Sequence, residues 1–323
     1  MTASLAPPAE LLALLRSRAS FVLALHRGPD GDALGAGLAL YHALTAQGKQ
    51  VQLVAPTEAA RHYRWLPGAD RLAQEISGDP QVALFLDCDG PERAGDLQAR
   101  LQSAPVVAQV DHHKGEPFGD PQYVDPTAAA TAVLVLRLLK ALGWPVTPDI
   151  AICLFTGLAT DTGFFRFENT NEEALLAAAE MVSLGAVPAQ IAERVSEASP
   201  ASRLRLLGRA LDALRTSPDG RIVWTVLRPA DYETTGCAVG DTEGIIDTLK
   251  QVGGQRVCVV LKAPEDESHW QASLRSPVVD VAEVARLSGG GGHARAAGFD
   301  AEGTLDEVLA KLTTALTTAL SEL

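Results

Sequence analysis

Aspartate, twice in company with histidine, recurs at four places in the first half of this chain in patterns that suit divalent cations. His26-Arg-Gly-Pro-Asp30-Gly-Asp32 sets an imidazole and two carboxylates within seven residues. The Pro/Gly turn lets alternate side chains aim at different points. Leu86-Asp87-Cys-Asp89 offers a carboxylate at the end of an apolar run, a good place for a ligand shared by two ions. Asp89 reads as a cap or a supporting residue behind the ligands. In Asp111-His112-His113, neighbouring side chains on a strand diverge. One histidine should therefore bind metal and the other face an anion, while Asp111 orients a ring. Gly157-Leu-Ala-Thr-Asp161 brings a carboxylate out of an apolar segment, where it needs a metal or an arginine such as Arg166. Mixed imidazole and carboxylate donors favour Mn²⁺ over Mg²⁺. Alone, the first two clusters would pass for a turn or a cap, the third for a surface histidine pair and the fourth for a salt bridge to Arg166. All four in sequence point to a two-ion site.

A fifth feature lies far along the chain, at Gly289-Gly-Gly-Gly-His-Ala-Arg-Ala-Ala-Gly298. Successive glycines can bring backbone N–H groups close to an anion. His293 and Arg295 add donors, and Arg275 stands at the end of the strand ahead. The stretch reads as an anion-binding loop.

The elements that must position these residues follow from hydrophobic patterning. Residues 9–18 form an amphipathic helix. Short apolar runs at 21–25, 50–55, 82–86 and 105–110 read as buried parallel strands, with helical patterns at 33–47 and 93–102 between them. Alternating strand and helix implies βαβ units and a parallel sheet, whose ligands gather at the carboxyl ends of the strands. Residues 150–159 are a fourth apolar segment ending in ligands. If it joins the same sheet, His26, Asp87, Asp111 and Asp161 meet along one edge. Thr170 is a plausible N-cap for a helix over 171–184. Residues 188–214 read as a helical linker broken near Ser199-Pro200. A second α/β series follows: strands at 221–227, 256–262 and 269–275, helices at 242–251, 280–287 and 305–320. The chain thus divides into a domain over 1–187, a linker over 188–214 and a smaller domain over 215–323.

Composition excludes several classes. The chain is 47% hydrophobic and 21% charged, with a net charge of −13. Acidic residues outnumber basic ones on both sides of residue 200 (23 against 14, then 17 against 13). That is no footprint for long duplex nucleic acid, which would need clustered Lys and Arg. No apolar run reaches the roughly 18 residues of a membrane span, and the N-terminus lacks the basic segment of a signal peptide. Cys88, Cys153, Cys237 and Cys258 have no C-x-x-C spacing and read as buried thiols. A cytoplasmic enzyme acting on a small anion is the expectation.

At these motifs the chain resembles the DHH-family phosphoesterases that carry the DHH-associated C-terminal domain, and among them the bifunctional nanoRNase and pAp-phosphatase group. The resemblance runs from Leu23 to Gly298. It implies an α/β fold with a Rossmann-like parallel-sheet catalytic domain, a helical linker and a smaller α/β substrate-binding domain. It implies two Mn²⁺, with Mg²⁺ as the alternative. His26, Asp30 and Asp87 would hold one ion, and Asp32, Asp87, His112 and Asp161 the other. His113 would contact the scissile phosphate, supported by Asp111. Arg275, Gly290, Gly291, Gly292, His293 and Arg295 would hold the substrate's terminal phosphate or nucleotide. The activity implied is hydrolysis of short RNA or DNA oligonucleotides to mononucleotides and of pAp (3′-phosphoadenosine 5′-phosphate) to AMP, by a homodimer. Two other readings are a cyclic or linear dinucleotide phosphodiesterase and a catalytically silent nucleotide sensor.

Overall fold

Residues 5–197, 201–242, 244–263 and 265–322 are described by the computed structural model, the side chains of Ser196, Glu197 and His293 excepted. They fall into two compact units, residues 1–198 and 199–323. The first begins with α1 (Ala9–Ser17), β1 (Ser20–Ala24), α2 (Gly31–Ala46), β2 (Gln50–Val54), β3 (Leu72–Ala73) and β4 (Val82–Leu86). It continues with α3 (Gln98–Gln102), β5 (Val106–Asp111), β6 (Gln122–Val124), α4 (Thr131–Leu142), α5 (Pro148–Asp161), α6 (Glu172–Ser183) and α7 (Pro188–Glu197).

Six strands pair in the order β3-β2-β1-β4-β5-β6, all parallel. The chain runs outward from β1 through β2 to β3, then returns to the other side of β1 with β4. Loops leaving β1 and β4 therefore diverge and open a crevice between them. Both faces of the sheet are covered, which is why β4 is buried at every position. Phe21, Leu23, Val82, Leu84 and Leu86 face one core with α1, α2, α4 and α5. Val22, Ala24, Ala83 and Phe85 face a smaller core closed by Ala94 and Leu101.

α2 is buried on nearly all sides, as expected for a helix apolar all round. It crosses α5 at very close range. A Cβ on Gly35 would lie 2.4 Å from the Cys153 carbonyl, and one on Gly157 would lie 2.8 Å from Asp32 Oδ1. Only glycine fits at this crossing.

The expectation that residues 150–159 join the sheet is corrected here. They belong to helix α5, whose 14 residues exceed the usual length of a strand. Pro148 opens that helix and Thr147 caps it by accepting from the Ile150 N–H. The helix over 171–184 is capped by Asn171, not Thr170: Asn171 Oδ1 accepts from Ala174 N at 2.9 Å. The helix over 93–102 is largely a 3₁₀ segment at Pro91–Leu97, with only α3 in α geometry. α7 packs within the first unit through Ile191 and sets the Arg194 guanidinium over the Trp65 ring.

The second unit contains α8 (Ala201–Asp212), β7 (Arg215–Thr216), β8 (Ile222–Leu227), α9 (Pro229–Thr235), α10 (Ile245–Leu249), β9 (Val257–Lys262) and β10 (His269–Arg275). It ends with α11 (Val281–Arg286), β11 (Gly291–His293), β12 (Ala296–Glu302) and α12 (Leu305–Ser321). The strand order is β11-β12-β10-β9-β8-β7, with β8 and β9 parallel and the other pairs antiparallel. α11 and α12 close one core over Val257, Val259, Trp270 and Leu274. Leu206, Tyr232 and Ile246 close another over Val223, Cys258 and Val260. The helix expected over 242–251 is α-helical only across α10. Among the described residues no single helix is long and apolar enough to cross a membrane.

Candidate metal centre

The crevice between β1 and β4 collects the predicted ligands of the first unit. His26 follows β1 and Asp87 follows β4, two neighbouring parallel strands. Asp111 ends β5, the strand beside β4. Asp30 and Asp32 sit at the start of α2, and Asp161 is the last residue of α5. The ligands thus come from the ends of three strands and from two helix ends, the start of α2 and the finish of α5.

Two histidines share one arrangement. His26 Nδ1 lies 3.0 Å from the Arg27 carbonyl, and His112 Nδ1 lies 3.3 Å from the Ala128 carbonyl. A backbone carbonyl on Nδ1 fixes the tautomer that leaves an Nε2 lone pair for a metal. His26 Nε2 stands 3.9 Å from Asp30 Oδ1 and 3.8 Å from Asp87 Oδ2. His112 Nε2 stands 3.8, 3.6 and 3.7 Å from Asp32 Oδ2, Asp87 Oδ1 and Asp161 Oδ2. Asp87 therefore turns one oxygen toward each group. Its backbone is left-handed, with φ 58°.

His113 differs from the other two. Its Nδ1 meets Asp111 Oδ1 at 2.8 Å. Burial alone would lower its pKa, but the Asp111 hydrogen bond and the charges of Asp87 and Asp111 raise it to about 9. The Asp111 hydrogen bond favours the protonated form of His113, while His26 and His112 each turn Nε2 toward carboxylates.

These residues fit a pair of divalent cations. His112 Nε2 is buried and makes no hydrogen bond, although three carboxylates surround it. Gaps of 3.6–3.8 Å are too long for hydrogen bonds. They suit donors around one ion, because two metal–oxygen bonds of about 2.1 Å place their donors roughly 3–4 Å apart. Burial and mutual repulsion push the Asp32 and Asp87 carboxylates above their ordinary range and Asp161 up to about 6. A cluster of buried carboxylates under such repulsion is relieved by positive charge. Three groups of possible ligands overlap here: His26–Asp30–Asp87, Asp32–His112–Asp161 and Asp87–His112–His113.

Several supporting residues gave no recognisable signal in the sequence. Thr131 donates its hydroxyl to Asp87 Oδ1 at 2.8 Å. Asn169 Nδ2 lies 3.2 Å from Asp161 Oδ2 and 2.9 Å from the Ala129 carbonyl. Arg166, the alternative partner for Asp161, donates instead to the Gly163 carbonyl. Asp89 pairs with Arg93 at 3.3 Å.

In the second unit, Gly291–His293 is not an open loop. It forms β11, an edge strand with Gly291 opposite Gly298 and His293 opposite Ala296. Close approach to β12 demands glycine at 290 and 292: a Cβ on Gly290 would lie 2.2 Å from the Gly298 carbonyl and one on Gly292 2.6 Å from the Ala296 carbonyl. Arg275 lies on β10 opposite Ala296 of β12 and Cys258 of β9. The alternation of β10 sends Trp270, Ala272 and Leu274 into the core and leaves Gln271, Ser273 and Arg275 half-buried on the other face. Lys262, opposite Gln271, shares that face. Sequence reading passed over Lys262. Burial lowers its pKa and the Arg275 charge lowers it further, against Asp300. The Arg295 carbonyl accepts from Ser276 N, and the His293 side chain lies outside the described residues.

Comparison with known proteins identifies the family of each unit. Residues 20–158 match the model of the DHH family N-terminal domain, and residues 225–322 match the DHHA1 domain. The bifunctional oligoribonuclease and PAP phosphatase NrnA of Thermus thermophilus is 36% identical over 87% of this chain and 84% of that protein. The chain belongs to the DHH family. A DHH relative of the same description from Bacillus subtilis is 24% identical over 90% of this chain and 91% of its own length. The crystal structure of an exopolyphosphatase-related protein from Bacteroides fragilis superposes with a TM-score of 0.90 and 27% identity, covering 96% of this chain and 95% of that one. RecJ from Thermus thermophilus in complex with Mn²⁺ shares the fold at a TM-score of 0.54 and 17% identity, covering 95% of this chain and 54% of RecJ. The clusters around His26, Asp87 and Asp111 fall within the DHH match, and the glycine-rich stretch falls within the DHHA1 match.

Proposed function

We propose that this chain hydrolyses short oligonucleotides to mononucleotides and 3′-phosphoadenosine 5′-phosphate to AMP, with two Mn²⁺ ions per chain. The observation that carries the chemistry is Asp87, whose two oxygens face two separate groups of donors. The substrate class rests on the two NrnA relatives, each named a bifunctional oligoribonuclease and PAP phosphatase. The cytoplasm suits this reading, because all four cysteines are free thiols.

His26, Asp30 and Asp87 would hold one ion, and Asp32, Asp87, His112 and Asp161 the other. When bound, such a pair supplies Lewis-acid polarisation of the phosphoryl group and a water that ionises near neutral pH. The remaining work falls to the protein. Asp111 fixes the His113 ring through Nδ1, so Nε2 is the atom that would donate to a phosphoryl oxygen as negative charge develops there. Against burial, the Asp111 hydrogen bond and the charges of Asp87 and Asp111 raise the His113 pKa to about 9 in the metal-free protein, and the Asp111 bond would go on favouring the protonated ring beside the cations. In the second unit, Arg275 and Lys262 place two basic side chains on one face of the sheet that carries Gly291–His293 at its edge, a setting for a terminal phosphate. Recognition of a few phosphates by single cations reconciles a nucleotide substrate with a net charge of −13.

The test is turnover by the Mn²⁺-loaded protein on a dinucleotide, a short RNA and 3′-phosphoadenosine 5′-phosphate. Hydrolysis of all three, lost on chelation and in Asp87→Asn, is expected. Absence of turnover on every one of them would overturn the proposal.

A further inference from the structure

The N-terminal turn of α4 touches two of the proposed ligands at once. Thr131 is its first residue, and Ala130 before it supplies no side-chain cap. The amides that open this helix are satisfied by a carboxylate from another element. Thr131 N donates to Asp32 Oδ2 at 2.6 Å and Ala132 N donates to Asp32 Oδ1 at 2.9 Å. The Thr131 hydroxyl turns the other way and donates to Asp87 Oδ1 at 2.8 Å. Thr131, Asp32 and Asp87 are all buried.

We infer that Thr131 is a positioning residue that holds the Asp87 carboxylate in the plane that divides its two oxygens between the two cation sites. The inference rests on the two-ion reading of the centre. A carboxylate turns about its last side-chain bond over a broad, shallow minimum. The plane of Asp87 must therefore come from its neighbours. Among the described residues, the Thr131 hydroxyl is the side-chain donor hydrogen-bonded to Asp87 Oδ1. It acts on the oxygen facing His112 and leaves Oδ2 directed at His26. The hydroxyl itself is carried on a helix end pinned by Asp32. The same turn thus fixes a ligand of one site and the ligand common to both. Without the hydroxyl, Asp87 can rotate and present both oxygens to one ion, so the second ion loses its bridge.

The experiment is Mn²⁺ titration of metal-free wild type, Thr131→Val and Thr131→Ser by calorimetry, with electron paramagnetic resonance on the loaded proteins. Valine keeps the shape and removes the donor; serine keeps the donor. Wild type and Thr131→Ser should bind two ions per chain and show a spin-coupled spectrum. Thr131→Val should bind the second ion about 10–100-fold more weakly, the usual cost of losing a group that orients a ligand. At sub-saturating Mn²⁺ it should show the hyperfine pattern of isolated ions. Equal affinities and coupled spectra in all three would overturn the inference while leaving the two-ion centre standing. A wild type that binds no ion pair would overturn both. Should Thr131→Val not fold, Thr131→Ala provides the same comparison, because only a hydroxyl at this position is expected to restore coupling.

Discussion

Asp111 Oδ1 accepts from two donors of His113, the ring Nδ1 at 2.8 Å and the backbone N–H at 3.2 Å. The two bonds close a small loop that fixes the histidine ring relative to its own backbone. Proton affinity follows from that clamp. Burial would favour the neutral ring, and the carboxylates beside it reverse the preference to a pKa of about 9.

The clamp should appear in the pH dependence of stability. The folded pKa of His113 lies above its unfolded value of about 6.5, so its stabilising contribution is complete below about pH 6.5 and is lost as pH rises through about 9. Metal-free wild type should exceed Asp111→Asn in melting temperature at pH 6, with the gap closing by about pH 10. Thermal denaturation across that range decides it; a gap independent of pH would count against the clamp.

Asp161 should behave in the opposite sense. Burial and the Asp87 charge lift its carboxylate to about 6, offset in part by His112. The folded protein then holds a proton that the unfolded chain releases near pH 4, so Asp161 costs stability increasingly as pH rises from about 4 to 6, and the cost stays constant above that. Metal-free Asp161→Asn should be more stable than wild type at pH 7.5 and nearly equal to it near pH 4. Added Mn²⁺ should raise the melting temperature of wild type at pH 7.5 more than that of the variant. A wild type indifferent to Mn²⁺ would contradict this.

The α2–α5 crossing predicts a steric effect. Gly35→Ala would place a methyl 2.4 Å from the Cys153 carbonyl, which is backbone and cannot swing aside. Separating two packed helices to make room should cost about 1–3 kcal/mol. Urea denaturation should show this as a lower midpoint with little change in slope. Gly157→Ala adds a functional effect, because its methyl would press on Asp32 Oδ1 at 2.8 Å. Mn²⁺ affinity should fall in that variant by more than in Gly35→Ala.

Arg275→Ala should raise KM for nucleotides with a terminal phosphate and leave Mn²⁺ affinity unchanged, because Arg275 is a cation and none of the proposed metal ligands. Arg275→Lys should recover only part of the loss, since an ammonium cannot reproduce a planar two-pronged contact. Steady-state kinetics with phosphorylated and unphosphorylated dinucleotides separate the two effects. Unchanged KM in Arg275→Ala would remove it from substrate binding.

The ligand clusters were legible because metal chemistry restricts residue type and because three of the clusters follow apolar strands. Residues 21–25, 82–86 and 105–110 could be read as strands from their short apolar runs. Residues 150–159 could not be separated from a strand by periodicity, since a fully buried helix is also apolar all round. Length and Pro148 were the discriminating features. Thr131 was illegible for a different reason. A threonine at a helix start reads as an ordinary cap, and nothing local shows that its hydroxyl serves Asp87, 44 residues away. The glycine stretch was recognised by composition, but its pairing as β11 depends on Gly298 and Ala296 across the hairpin.

The left-handed backbone at Asp87, φ 58°, determines how an inert form of this protein should be made. Alanine there removes the carboxylate and also meets the steric penalty that L-residues carry in that region, on the order of 1–2 kcal/mol. Glycine relieves the backbone and loosens the chain. Asparagine is among the side chains that tolerate the conformation best, and its amide oxygen can still accept from Thr131. Asp87→Asn is therefore the variant with which to capture an uncleaved oligonucleotide, its crevice kept in shape and its shared negative charge removed.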